Sequence, residues 1–375
     1  MLDLKKKIAT RVASIEASGI RKIFDLGATL KDPVNLSIGL PDFDVPEPVK
    51  EAAIAALRAG FNRYTPSGGI PELREKILSV HCAQHGVAPE GLGAVVTAGV
   101  SGALTLALMA LVEPGDEVLI PDPYFVSYKH LTAVCGGTPV CYDTYPDFKV
   151  DPQRVAQQIT PRTKLIIAMS PGNPTGELLS GETKRALAEV ARAKGVILVS
   201  DEIYDLFTYE NRTSSLGAFY PEGTLVLGGL SKTAAMTGWR IGWAIGPNVL
   251  LEQMLKIQQF TFVCAPSFAQ KAALKAFEAD LSSAVPAYKG KRDRMYEGLR
   301  AMGYELTRPG GAFYLFVKVP PKYASGQAFV EEAIKRNLLL VPGGVFSERD
   351  THFRISYAAP DAKLTQALEI FKGMI

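Results

Sequence analysis

The chain predicts an α/β fold: a large domain with a mostly parallel sheet flanked by helices, then a smaller α+β domain. Three features of the 375-residue sequence predict it. From Glu47 to roughly Glu278, helix-like and strand-like segments alternate, as in a sheet covered on both faces. Strand candidates such as Val196–Ser200 are continuous apolar runs, the pattern of a strand buried on both sides. Beyond residue 278 the order becomes helix, strand, helix, strand. A chain of this length suggests about two domains. The expected division is an N-terminal arm with part of the small domain over 1–46, the large domain over 47–278 and the small domain over 279–375.

The elements follow in order. A first helix is expected around Ile8–Ala17, then a strand and the proline-rich Pro41–Pro48. Helix Glu51–Leu57 precedes helix Pro71–His85, whose Pro-Glu start suits a first turn. Strand Ala94–Thr97 leads through loop Ala98–Gly102 into helix Ala103–Val112. Strands at Glu117–Ile120, Thr138–Tyr142 and Lys164–Met169 come next, then helix Gly181–Lys194, strand Val196–Ser200 and strand Thr224–Leu227. The small domain is expected to hold helix Ala287–Ala301, strand Phe313–Val319, helix Gln327–Arg336 and strand Phe353–Tyr357.

Composition removes several functional classes. Apolar residues make up 47% and charged residues 21%, which supports a large core and argues against disorder. The net charge of +3 is too small to suggest nucleic acid as a partner. Cys82, Cys135, Cys141 and Cys264 form no Cys-x-x-Cys pair, which reads as reduced thiols in a cytoplasmic protein. The start lacks the apolar stretch of a signal peptide. Gly91–Val112 carries no charge and is long enough to span a bilayer, but its glycines and hydroxyl residues break it into strand, loop and helix, so no membrane partner is expected.

Chemistry concentrates at the ends of three strands, where parallel sheets gather their functional groups. One end runs into Leu230-Ser231-Lys232 and on to Arg240; another ends in Asp201-Glu202-Ile203-Tyr204; a third runs into Gly172-Asn173-Pro174-Thr175-Gly176. An amine is a useful nucleophile toward a carbonyl. Ser231 and Arg240 beside it provide a hydroxyl and a planar fork, which suit a phosphate. An aldehyde and a phosphate on one ring describe pyridoxal phosphate. His81, Cys82 and His85 on one helix have metal-like spacing, but no third ligand is evident and no metal is assigned.

With Asn-Pro-Thr-Gly, Asp-Glu-Ile-Tyr and Ser-Lys-x(7)-Arg in this order, the chain resembles the class I/II aminotransferases of the aspartate aminotransferase superfamily, the fold-type I pyridoxal phosphate enzymes. The resemblance runs from Leu36–Asp44 through Tyr64–Arg74 to Phe353–Ala358; Gly172 departs from it where relatives often carry a second Asn. It implies that Lys232 bonds the cofactor and also carries a proton from the substrate's Cα. Asp201 would face the protonated ring nitrogen, and Tyr204 and Asn173 the phenolic oxygen; Asn173 equally serves a turn before Pro174. Phe125, in preference to Tyr124, would stack on the ring. The cup for the phosphate would combine Val100, Ser101, Gly102, Ser231 and Arg240, completed by Tyr64 of a neighbouring subunit in a homodimer with shared sites. Arg354 would bind the substrate's α-carboxylate, with Gly39 and Asn173 beside it.

The implied activity is transfer of an α-amino group between an amino acid and a 2-oxo acid by a ping-pong mechanism. Two alternatives stay open at this point. One is a lyase on the same scaffold, performing β-elimination from a cysteine conjugate or an aminocyclopropane-type synthesis. The other is a non-catalytic regulator that senses the cofactor. Ile15, Ile20 and Phe24 of the arm would make the substrate pocket apolar or belong to the core.

Overall fold

The computed structural model describes residues 3–15, 17, 19–210, 213–281 and 283–375, with the backbone alone at 21, 22 and 24. Strand β1 (Val34–Asn35) lies near the start. β2 (Leu92–Ala98), β3 (Glu117–Asp122), β4 (Thr138–Asp143), β5 (Thr163–Met169), β6 (Ile197–Asp201), β7 (Thr224–Gly229) and β8 (Ile241–Pro247) form one seven-stranded sheet in the order β2-β8-β7-β6-β5-β3-β4. β8 is antiparallel to both neighbours, and the other adjacent pairs are parallel. This is the mostly parallel sheet that the sequence predicts. Its strands are buried along nearly their whole length because helices cover both faces.

The remaining strands lie apart from this sheet. β9 (Tyr314–Lys318), β10 (Leu338–Leu339), β11 (Val341–Pro342) and β12 (His352–Ser356) follow in the chain, and β11-β12-β9 form an antiparallel sheet. β1 pairs in parallel with β10, which ties the N-terminal segment to the C-terminal elements. A core rich in aromatic rings fills this region, with Phe329 and Phe353 stacked at 4.2 Å between centroids. Tyr204 and Phe207, just beyond β6, insert into the same core and link it to the large sheet.

Several helices match the sequence reading, including Pro71–His85 and Gly181–Lys194. Three readings need correction. The expected arm helix at Ile8–Ala17 is a short helix Thr10–Ala13, followed by a separate helix Gly19–Gly27. A Cβ at Gly19 would sit 2.4 Å from a Val345 methyl, so the second helix begins where a side chain would block its docking. The loop expected at Ala98–Gly102 is already helix, over Gly99–Leu111. Gly99 has φ +72°, a left-handed conformation that turns the chain directly from β2 into the helix. β8 and the helices at Val126–Val134, Pro152–Gln158, Asn248–Thr261, Ser267–Ala276 and Asp361–Lys372 were not expected.

β8 escaped because its glycines weaken any strand signal. Those glycines answer to tertiary contacts: a Cβ on Gly242 would lie 2.4 Å from the Gly99 carbonyl carbon and 2.6 Å from the Val100 amide nitrogen. The sheet and the first turn of helix Gly99–Leu111 therefore touch backbone to backbone. Gly242→Ala is expected to lower the unfolding free energy by about 2 kcal/mol or more, because backbone cannot move aside as a side chain can. Denaturant titration checks this, and an unchanged midpoint would contradict the close approach.

Candidate active site

Five strands deliver residues to one place. The carboxyl ends of β2, β3, β5, β6 and β7 lead to Gly99, Phe125, Asn173, Asp201 and Lys232 respectively. Together with Gly39 from the N-terminal segment and Arg354 from β12, most of these line a cavity of about 360 Å³. Lys232, in the first turn after β7, donates from Nζ to the Gly39 carbonyl at 2.6 Å. Burial brings its pKa down to about 8, and the charges of Arg354 and Arg240 act in the same direction; Asp201 opposes them. The amine thus titrates far closer to neutrality than an ordinary lysine.

Asp201 ends β6 and is almost fully buried. Tyr128 donates to its Oδ2 at 2.8 Å, and the Ile203 amide donates to Oδ1 at 3.2 Å. Burial still dominates these bonds and pushes its pKa up to about 6. Tyr204 shares a 2.7 Å hydrogen bond with the hydroxyl of Tyr314, and burial raises the pKa of both phenols.

Arg354 is 1% exposed. It donates from one terminal nitrogen to Asn173 Oδ1 at 3.0 Å and from the other to the Ser37 carbonyl at 2.6 Å. Its guanidinium sits over the rings of Tyr314 and Phe346, at 4.6 and 4.7 Å. Its Nε has no partner, and among the described residues no carboxylate pairs with it. A buried cation compensated by neutral acceptors and ring faces is a ready receptor for a carboxylate.

A second anion cradle lies at the start of helix Gly99–Leu111, where no side chain caps the first amides. Ser101, Ser231 and Arg240 line the cavity here. Arg240 is held by the carbonyls of Thr237 at 2.7 Å and Ala98 at 3.3 Å. Any Cβ on Gly99 would lie 2.3 Å from its guanidinium, so the glycine lets the cation reach the helix start. Free amides, a hydroxyl and a fixed guanidinium together suit a phosphate.

The remaining sequence candidates fall as follows. Val100 and Phe125 line the cavity, whereas Tyr124 is buried with its hydroxyl 3.3 Å from Glu348. Gly102 lies buried in the helix and does not reach the cavity lining. Tyr64 is 83% exposed, on a surface shared with Cys264 and Pro266 away from the cavity. Ile20 lines the cavity; Ile15 does not, and the side chain of Phe24 lies outside the described residues. His81 and His85 have ring centroids 4.8 Å apart, and no group of three metal-binding side chains occurs among the described residues. The sequence reading missed Tyr128 and Tyr314. Both lie close in sequence to recognised segments, but their partners are 73 and 110 residues away, and no local pattern announces such bonds.

The comparisons show the class of protein to which this fold and this charged cavity belong. The family model for aminotransferase class I and II matches residues 31–371. A probable aspartate aminotransferase of Methanocaldococcus jannaschii is 40% identical, covering 97% of this chain and 99% of its own. The aspartate/prephenate aminotransferase of Thermus thermophilus is 38% identical over 100% of this chain and 99% of the relative. A solved structure of the Thermus thermophilus aspartate aminotransferase with maleate superposes with a TM-score of 0.94 at 38% identity, over 98% of this chain and 99% of that one. The chain belongs to the class I and II aminotransferases, and it is an enzyme that transfers amino groups. The lyase reading is not favoured by these relatives, and no helix is long and apolar enough to cross a membrane among the described residues.

The burial of Asp201 has a measurable consequence. Its folded pKa, about 6, lies above the 3.8 of an ordinary aspartate, so the cost of burying the carboxylate is absent below that ordinary value. The cost accumulates as pH rises from 3.8 to about 6 and is complete at neutral pH. Asp201→Asn should therefore stabilise the cofactor-free protein at neutral pH by on the order of 1–3 kcal/mol, with the gain vanishing in acid. Thermal unfolding across this pH range checks it.

Proposed function

We propose that pyridoxal 5′-phosphate is the cofactor and that the cavity around Lys232 is where an amino acid and a 2-oxo acid exchange the amino group. The observation that carries this reading is the convergence of Lys232, Asp201, Arg240 and Arg354 on one cavity. The residues fit the group: an amine titrating near 8 for its aldehyde, the cradle of Ser231, Arg240 and the Val100 and Ser101 amides for its phosphate, and the Asp201 carboxylate for its ring nitrogen. Tyr204 and Asn173 would hold the phenolic oxygen, and Phe125 the ring face. When bound, the cofactor supplies an electron sink for the pair of electrons left on the substrate's Cα.

The chain's own residues do the rest. Arg354 takes the α-carboxylate in a two-point fork, while Asn173 Oδ1 and the Ser37 carbonyl keep the guanidinium from rotating. The ring stacking of Tyr314 and Phe346 fixes its plane. Lys232, neutral once its proton is lost, removes the proton from Cα and returns it one position along. Gly39 receives the amine through its carbonyl when it is not engaged. Tyr128 and the Ile203 amide hold the Asp201 carboxylate in place. The second half-reaction runs the same residues in reverse on the oxo acid, giving ping-pong kinetics.

Three further readings complete the proposal. The protein is a homodimer in which exposed Tyr64 reaches the phosphate cradle of the partner. It works in the cytoplasm, in keeping with four unpaired cysteines. It divides into an arm and partial small domain over 1–46, a large domain over 47–278 and a small domain over 279–375. The names of the relatives make a dicarboxylate one candidate donor.

Borohydride reduction after incubation with pyridoxal phosphate should trap an adduct on the peptide containing Lys232, and Lys232→Ala should yield none and lose turnover. Trapping elsewhere would refute the assignment. The rate of capture by the cofactor-free protein should rise with pH and level off above about 8, as the amine of Lys232 loses its proton. Arg354→Ala should raise KM for amino acids by roughly 100-fold while leaving cofactor affinity within a few-fold, because it removes two charge-assisted bonds to the carboxylate.

A further inference from the structure

We propose that the substrate's side chain enters a subsite walled by Ile20 and Leu40, and that the enzyme takes amino acids with uncharged apolar side chains in preference to dicarboxylates. The inference rests on the proposed transamination at this site and narrows it to one substrate class.

Charge comes first. Four charged side chains line the cavity: Asp201, Lys232, Arg240 and Arg354. The ring nitrogen, the aldehyde, the phosphate and the α-carboxylate engage all four. A dicarboxylate brings one anion more. Drawing that second carboxylate out of water requires another cation or several convergent donors. Among the described residues that line the cavity there is no fifth charged side chain. Arg240 is also tethered at both terminal nitrogens to the carbonyls of Thr237 and Ala98, so it does not swing toward a substrate.

The wall beside the carboxylate fork is apolar. Ile20, on helix Gly19–Gly27, lines the cavity and packs against the buried cluster that contains Phe316 and Phe346. Phe346 is one of the rings under the Arg354 guanidinium, so Ile20 and the carboxylate fork rest on the same cluster. Leu40 follows Gly39, whose carbonyl receives Lys232, and reaches the same cavity with 42% of its surface still exposed. An apolar substrate side chain would cover that surface and shed its own hydration. A carboxylate in the same position would lose water and gain no further cationic partner among the described residues that line the cavity. Helix Gly19–Gly27 packs closely at Gly19, where an added Cβ would meet the Val345 side chain.

The test uses the holoenzyme with a donor panel of alanine, leucine, methionine, phenylalanine, aspartate and glutamate against a common oxo acid. Leucine is expected to exceed aspartate in kcat/KM by about tenfold or more, the scale of discrimination that apolar pockets reach. Calorimetry with unreactive analogues provides a second readout: isocaproate should bind more tightly than maleate. Equal or better performance by aspartate, or tighter maleate binding, overturns the apolar subsite and leaves the transaminase reading standing. Failure of every amino acid overturns both. Ile20→Ala should lower kcat/KM for leucine several-fold and leave that for alanine within about twofold, since alanine has no side chain to reach the wall. Ile20→Leu should retain the leucine preference. An equal loss on leucine and alanine in Ile20→Ala would show that Ile20 supports the fold and not the subsite, and would overturn the proposal.

Discussion

The enforced burial of a lysine amine among two guanidiniums and one carboxylate organises this molecule. Taken singly, each of these charges would be costly away from water. Together they shift one another into useful states. The amine of Lys232 is driven toward neutrality by burial and by Arg354 and Arg240. Asp201 is kept close to its titration point by burial, restrained by the Tyr128 hydroxyl. Arg354 keeps its charge among neutral acceptors and ring faces, with donor capacity left over. A site built this way is unstable for its own sake and complementary to ligands that carry the missing charges.

The fold provides the rigidity that such an arrangement demands. Parallel strands with helices on both faces deliver their carboxyl ends to one edge, and each catalytic candidate sits at or just beyond such an end. Small displacements there would separate the charges and let water between them. The antiparallel strand β8 adds a second kind of support. It enters the sheet between β2 and β7 and carries Arg240 at its leading end, across from the start of helix Gly99–Leu111. Glycines at 99 and 242 let backbone meet backbone at this point, which locates a cation and free amides within one cradle.

The other half of the site comes from a different core. β12 and β9 bring Arg354 and Tyr314, and Tyr204 bridges from the large sheet into the same aromatic cluster. In the proposed reading, the substrate's carboxylate is held by one part of the molecule while the reactive amine belongs to the other. The N-terminal segment closes the remaining side through Gly39, Leu40 and Ile20. Recognition of the substrate therefore depends on packing between separate elements more than on any single motif.

The sequence alone determined the class of fold, most strand positions and the identity of the chemical groups. Long apolar runs, alternation and short motifs are local properties that a linear reading can detect, and Asn173, Asp201, Lys232 and Arg240 are written into them. The tertiary structure alone decided the start of helix Gly99–Leu111, the course of β8, the split of the arm around Gly19, and the partnerships of Tyr128 with Asp201 and Tyr314 with Tyr204. The reason is physical. A glycine is required where another backbone comes close, and a buried hydroxyl finds its acceptor across the core. Both depend on distances between residues far apart in the chain, which no local pattern encodes.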